Sequence, residues 1–520
     1  MITDKYFPIE IQCEITKFLY DLKDALNMSN LSNNHRNYIR ITNLYDISKK
    51  YLININQSVL EMEKFRYVEK LDAYNNSNIY DVNYIINPIT KESSLKVLNC
   101  GGEKCRIDQA GISKLKLDEL YARDNSLIRD VTHMNKTLKI LDCSGKSKID
   151  QNGIADLKLT NINTSYNKNI HNLNHMVDTL KILSCKGKCG INQQSINNLK
   201  LEKINISNNL NINSLNYFNG TEIPLKKSLR TLICKNYCNL DDKSIYGLNL
   251  NYLDVRTNWR IKNVNYLKNT LRILNCNGET CGINQNGISE LELEELYCCN
   301  NNNIYNLDHM KNSLNILNCG EKSGIDQNSI LNLRLKKLYA SNNEKIINVN
   351  HMKKSLTVLD CSGACGIKQN GISKLNLQKL YVSDNIYIAN VTHMKNTLRT
   401  LNCSFASGIS QNGIEGLQLH KLNVSGNRNI HNVNHMKDTL RILYCAHESG
   451  INQNGISELK LIKLEMHYNK SITNLNHMSE TLKILDCSET EIKNTRNLNL
   501  YVLHSPITKV VKYKKHYKLF

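Results

Sequence analysis

Two residue types in this sequence could do chemistry, cysteine and histidine, and both recur at a fixed spacing. Of eighteen cysteines, Cys100, Cys143, Cys185, Cys234, Cys276, Cys319, Cys361, Cys403, Cys445 and Cys487 are separated by 43, 42, 49, 42, 43, 42, 42, 42 and 42 residues. Five of them have a second cysteine close by, at Cys105, Cys189, Cys238, Cys281 and Cys365. Two such pairs could surround a tetrahedral zinc ion. However, Cys143 and Cys319 occupy the same place with no second cysteine, and the alternate half-repeats carry Val, Ile or Ala there. A thiol that interchanges with small apolar residues behaves as a buried hydrophobe. The pattern predicts a core column of free thiols in a reducing compartment, with no metal and no cofactor.

The histidines His133, His175, His309, His351, His393, His435 and His477 sit mostly in Asn-His-Met or Thr-His-Met, at multiples of 42 within each unbroken block. A catalytic group works from one unique geometry. These instead repeat, and give way to Tyr217 and Tyr266 in two turns. They read as a ladder on the outer side of a repeat array. No Ser/His/Asp constellation, phosphate loop or paired-carboxylate motif accompanies them, so the chain reads as non-enzymatic and without a small-molecule substrate.

The elements that must position these residues follow from the repeat. Each 42-residue unit divides into two halves of about 21. One reads Leu-x-x-Leu-x-Cys, as in Leu271, Leu274 and Cys276, and continues through Gly282-Ile-Asn-Gln-Asn-Gly-Ile-Ser289. The other reads Leu-x-x-Leu-x-Val-x-x-Asn-x-x-Ile, as in Leu377, Leu380, Val382, Asn385 and Ile388. The second pattern resembles the leucine-rich repeat, from Val68 to about Ile507. Leu380 and Val382 are two apart, the period of a strand with one buried face. A 21-residue unit has room for one short strand and one short return, so stacked units predict an α/β-type leucine-rich-repeat solenoid. Its parallel sheet would line the concave face, with short irregular or helical returns outside. About twenty strands at 4.8 Å give an inner edge of roughly 90 Å, suited to a protein partner. Asn385 and its equivalents sit where the chain turns inward and can satisfy backbone groups of neighbouring turns. Two insertions break the register, seven residues within 216–227 and six within 84–94.

Composition narrows the partner. The net charge of +20 permits a polyanion, yet lysine is spread along the chain rather than clustered, so nucleic acid is not the expected partner. No run approaches the ~18 apolar residues of a membrane span. The opening residues lack a charged-then-apolar signal, so a cytoplasmic setting is expected.

Residues 1–60 read differently from the solenoid of 61–507 and the basic tail of 508–520. Ile11, Ile15, Phe18 and Leu19 form an amphipathic helical stripe entered through Pro8, and Tyr38 to Tyr51 could form a second helix. The segment Phe7-Pro8-x-Glu10-Ile11-x-x-x-Ile15-x-x-Phe18-Leu19 resembles the opening of an F-box. The whole chain is similar to F-box/leucine-rich-repeat proteins, including the Asn/Ile/Lys-rich ones of giant DNA viruses of amoebae; a viral chain would work in the host cytoplasm. That resemblance implies that Phe7, Pro8, Ile11, Ile15, Phe18 and Leu19 contact the Skp-type adaptor of a cullin–RING ubiquitin ligase, while the repeats capture a protein substrate. Residues 21–37 and the missing late tryptophan depart from the family pattern. The alternative is a small N-terminal helical cap that closes the open end of the core.

On a strand, the residues flanking each buried Leu point to the concave face. Lys337/Tyr339/Ser341, Lys379/Tyr381/Ser383 and Lys421/Asn423/Ser425 form the expected partner-binding field, with Val358/Asp360 and Thr400/Asn402 between them.

Overall fold

Three-residue strands recur once per turn, each held by the turns before and after it. The computed structural model describes residues 41–45, 55–492, 494–495, 497–498, 500 and 502–504. The chain divides into two units, 1–254 and 255–520. In the first, parallel strands run from Asn43–Leu44 through Lys70–Asp72 to Tyr252–Asp254, and in the second from Ile273–Asn275 to Val502–His504. Within each unit successive strands pair in parallel. In the second, for example, Leu338, Leu359, Leu380 and Leu401 are direct partners along neighbouring strands. The expected solenoid is therefore the observed fold, with Leu380 and Val382 fully buried.

One leucine per strand is enough because each turn also buries the residues that flank it. Leu377, Leu380, Val382, Ile388, Val391 and Met394 all lie in the core of a single turn. Three residues after the strand the chain bends at a residue with positive φ, such as Asn342 (56°) or Asp384 (57°), a conformation that short polar side chains tolerate. This bend swings the next residue, Asn343 or Asn385, into the core, where both are buried. Most returns carry a 3-10 helix or a four-residue helix, as at Thr392–Met394 and Gln369–Ile372.

The described part of the Tyr38 to Tyr51 stretch is not helical. Asn43–Leu44 is a strand that pairs in parallel with Lys70 and Leu71, and Ile41 and Leu44 are buried. Their spacing of three is shared by a helical stripe and by the Leu-x-x-Leu of the repeat, which is why periodicity alone could not separate them. Parallel pairing thus begins ahead of Val68. Phe7, Pro8, Ile11, Ile15, Phe18 and Leu19, like the basic tail, lie outside the described residues.

The seven-residue insertion has structure of its own. Tyr217–Phe218 and Thr221–Glu222 form an antiparallel hairpin, followed by the helix Leu225–Ser228. Strand pairing continues past it, with Leu232 directly beside Ile204. The earlier insertion closes more simply, through an antiparallel bridge from Ile86 to Ser93. Among the described residues no helix is long and apolar enough to cross a membrane.

Candidate protein-binding site

Strand alternation decides what the sheet shows to its surroundings. Leu338, Leu380 and Leu422 are buried, so their neighbours Lys337/Tyr339, Lys379/Tyr381 and Lys421/Asn423 project from the other side, all half-buried or exposed. The register aligns Lys337, Val358, Lys379, Thr400 and Lys421 in one row. A second row contains Tyr339, Asp360, Tyr381, Asn402 and Asn423. Lysines on alternate strands are thus roughly 10 Å apart. Among the described residues, the side chains of Lys337, Tyr339, Lys379 and Tyr381 make no hydrogen bond or ion pair. Burial raises the Tyr339 phenol above its ordinary pKa.

Parts of the expected field are used up by the fold itself. Val358 is buried, so the apolar stripe expected between the lysines is largely closed. Ser425 is buried and its hydroxyl accepts from the Ala446 amide at 3.2 Å. The Ser383 and Ser404 hydroxyls bond one another at 2.8 Å. Lys421 leans over the Tyr444 ring, 5.1 Å from its centroid, and Lys463 does the same at 5.1 Å. Burial works against the Lys463 charge, yet bonds to Glu465 and Tyr444 hold its pKa above that of an ordinary lysine.

The histidine row is a ladder of hydrogen bonds. Each ring Nε2 bonds a carbonyl oxygen one turn back, from His133 to Ile112 (3.1 Å), His351 to Ile330 (2.9 Å) and His477 to Ile456 (2.9 Å). Burial lowers the pKa of His351 and His435, which favours the neutral ring with a proton on Nε2. Tyr217 breaks the row at the insertion, where its hydroxyl accepts from Lys226 instead.

A second ladder escaped the sequence reading. In the Lys368-Gln-Asn-Gly-Ile372 segment, Gln369 donates from Nε2 to the Asn390 carbonyl at 2.8 Å and accepts from the Ala389 and Asn390 amides at 2.9 and 3.0 Å. Gln151, Gln285, Gln327, Gln411 and Gln453 each donate to the next turn in the same way. Gln57 does so as well, bonding the Asp81 carbonyl at 2.9 Å. Its signal was the recurrence of Gln at the period already used for Cys. A third feature is a ridge of exposed rings at positive-φ positions, where Phe405 lies 6.0 Å from His447 and His447 stacks on Tyr468 at 5.9 Å.

All ten cysteines of the column are fully buried. Burial pushes the Cys361 thiol well above its ordinary pKa and its neighbour Cys365 up to about 11. Among the described residues no group of three or more His, Cys, Asp or Glu is placed to hold a metal. Cys299 is the described cysteine that reaches solvent, half-buried on the strand side. An aromatic disulfide reagent added to native protein is expected to find Cys299 quickly. Cys299→Ser should remove one fast equivalent and Cys361→Ser none, while denaturant exposes all eighteen thiols. A fast equivalent lost with Cys361→Ser would contradict the buried column.

No family model matches this chain, and no curated protein matches it. Among solved structures it is similar to TLR13 in a complex with ssRNA13, at 17% identity and a TM-score of 0.45, over 88% of this chain and 78% of that one. It is also similar to a chain of the yeast Rad7 and Elc1 complex, at 14% identity and a TM-score of 0.30, over 83% of this chain and 93% of that one. The leucine-rich-repeat fold rests on this chain's own register and buried core.

Proposed function

We propose that this chain is a protein-interaction scaffold that recruits a protein substrate to a cullin–RING ubiquitin ligase. In this reading the substrate lies on the outward rows of Lys337, Tyr339, Lys379, Tyr381, Lys421 and Asn423. The observation that supports it is that four of these side chains are large and charged or aromatic, yet make no hydrogen bond or ion pair among the described residues. Tyrosine brings wide contact area with a polar tip, and such residues dominate interface energetics. The adaptor contact is assigned to Phe7, Pro8, Ile11, Ile15, Phe18 and Leu19 on the resemblance to the F-box. The second reading is a plain binding scaffold whose N-terminal segment only caps the array.

An affinity pull-down against a purified Skp-type adaptor separates the two. Wild type should retain the adaptor and Pro8→Ala/Ile11→Asp should lose it. Equal recovery by both, or recovery by neither, would leave only the plain scaffold. In cells, Lys337→Glu/Lys379→Glu/Lys421→Glu with Tyr339→Ala and Tyr381→Ala should lose the substrate and keep the adaptor. Substrate retained by that variant would move the site off these rows.

A further inference from the structure

We propose that a basic depression beside the insertion, wholly within the first unit, is a docking site for an acidic segment of a protein partner. The proposal rests on the reading of the chain as a protein-binding scaffold and adds to it a second contact of defined chemistry. The depression has a volume of about 790 Å³ and is ringed by Lys181, Lys200, Lys203, Lys227 and Arg230, with Glu202 the one carboxylate among the described residues of its lining. Its floor crosses three neighbouring strands, where Ile182, Lys203 and Thr231 are register partners. Ile182 and Pro224 supply apolar surface, and Ile182 is one of the exposed large hydrophobic residues.

The positive charge there is only partly answered from within the chain. Lys181 lies 3.7 Å from Glu202, Lys200 3.6 Å from Asp178 and Lys227 3.7 Å from Glu222. These are long, exposed pairs of the kind that water and salt readily screen. Among the described residues Lys203 has no carboxylate within reach. Arg230 donates to the carbonyls of Lys227 and Leu229 at 2.8 and 3.0 Å, which positions its guanidinium without neutralising it.

The wall is also built in advance. Lys226 donates to Tyr217 Oη and to Glu222 Oε2, both at 2.8 Å. The Ser228 hydroxyl is bonded to the Leu201 carbonyl at 2.8 Å. Asn216, at the base of the hairpin, is buried and donates to the Lys243 and Tyr246 carbonyls, each at 2.8 Å. A site that is already ordered loses little conformational freedom when it binds. Among the described residues no aromatic ring lines it, so they offer no platform of the kind on which single-stranded nucleic acid stacks. Cations around an exposed isoleucine and a proline instead match an acidic peptide that carries one apolar side chain.

The test uses the full chain and a fluorescein-labelled peptide, Glu-Glu-Leu-Glu-Glu-Glu, followed by fluorescence anisotropy. Saturable binding is expected, weakened about tenfold or more in Lys203→Glu/Lys227→Glu, because both charges lie at the contact. Lys353→Glu/Lys395→Glu changes the net charge equally at exposed positions elsewhere and should bind within about twofold of wild type. Replacing the peptide leucine by serine should weaken binding. Melting curves confirm that each variant is folded, and Lys203→Gln/Lys227→Gln repeats the comparison with smaller charge changes. Equal losses in both charge-reversed pairs would mean that net charge alone binds the peptide, and would overturn the proposal. So would unchanged binding in Lys203→Glu/Lys227→Glu, or a single-stranded oligonucleotide of equal charge binding more tightly through these residues. Loss of the peptide only in Lys337→Glu/Lys379→Glu/Lys421→Glu would refute this site while leaving the scaffold reading in place.

Discussion

Asn385→Ala is expected to destabilise its region by about 3 kcal/mol or more, since a buried polar group stripped of its partner costs about 1–3 kcal/mol and this change strips several. The Asn385 amide is fully buried. It donates to the carbonyls of Cys361 at 2.8 Å and Ile367 at 3.2 Å, and its Oδ1 accepts from the Tyr387 amide at 3.0 Å. One side chain thus closes three backbone groups on two turns. Alanine leaves the Cys361 and Ile367 carbonyls without this partner in the interior, and the Tyr387 amide, nearer the surface, without its acceptor. Aspartate has nearly the same shape, yet it cannot donate and would bring a charge into the core, so Asn385→Asp should do no better. Asn370, exposed on a return helix, serves as the control, and its alanine variant should fall within about 0.5 kcal/mol of wild type. Because repeat arrays open locally, amide hydrogen exchange is the sharper measurement. Amides over 361–388 should lose protection in Asn385→Ala while those of the first unit keep theirs. Equal behaviour of the Asn385 and Asn370 variants would refute the ladder.

The turn-level fold was legible in the sequence because one strong signal repeated. A leucine or cysteine two or three residues from its neighbour is weak evidence once, but its recurrence every 21 residues admits only a stacked array. Asn385 could be assigned on chemistry, since a buried amide at a bend must reach backbone. Gln369 recurs just as regularly, yet glutamine in a polar loop segment looks like solvent-facing filler until the backbone of the next turn, at Ala389 and Asn390, is in view. The start of pairing at Asn43 was hidden by coincidence, as Ile41 and Leu44 satisfy both a helical and a repeat spacing. The outward rows were half legible. Alternation correctly placed Lys337 and Tyr381 outward, but alternation cannot tell that Val358 is covered or that Ser425 is spent on the Ala446 amide. The basic depression was not legible at all. Its residues come from three strands and an insertion, and only the register brings Lys181, Lys203 and Arg230 to one place.

Gly287→Ala should be clearly destabilising, by about 1–3 kcal/mol as for other overpacked contacts, although local propensity favours it. Gly287 lies in the short helix Asn286–Ile288, where alanine would ordinarily gain about 0.5–1 kcal/mol over glycine. Packing reverses the sign. A Cβ at this position would sit 1.9 Å from the Lys262 carbonyl oxygen and 3.0 Å from its carbon. Both are backbone atoms, so no flexible side chain can step aside. The same contact carries the bond from the Val264 amide to the Gly287 carbonyl at 2.9 Å, and separating the turns would stretch it. Two turns of this chain solve the problem differently. Ser195 and Ser329 stand where Gly287 does in its own turn, and their hydroxyls donate to the corresponding carbonyls, His171 and Tyr305, at 2.6 Å. Either variant carries the Cβ that forces the turns apart, but the serine hydroxyl can offset part of that cost with a hydrogen bond, which the alanine methyl cannot. Gly287→Ser, despite the larger side chain, should therefore retain more stability than Gly287→Ala when the two are compared by thermal or urea melting. If the order is reversed, the close approach of backbone is not what fixes glycine at this place in the repeat.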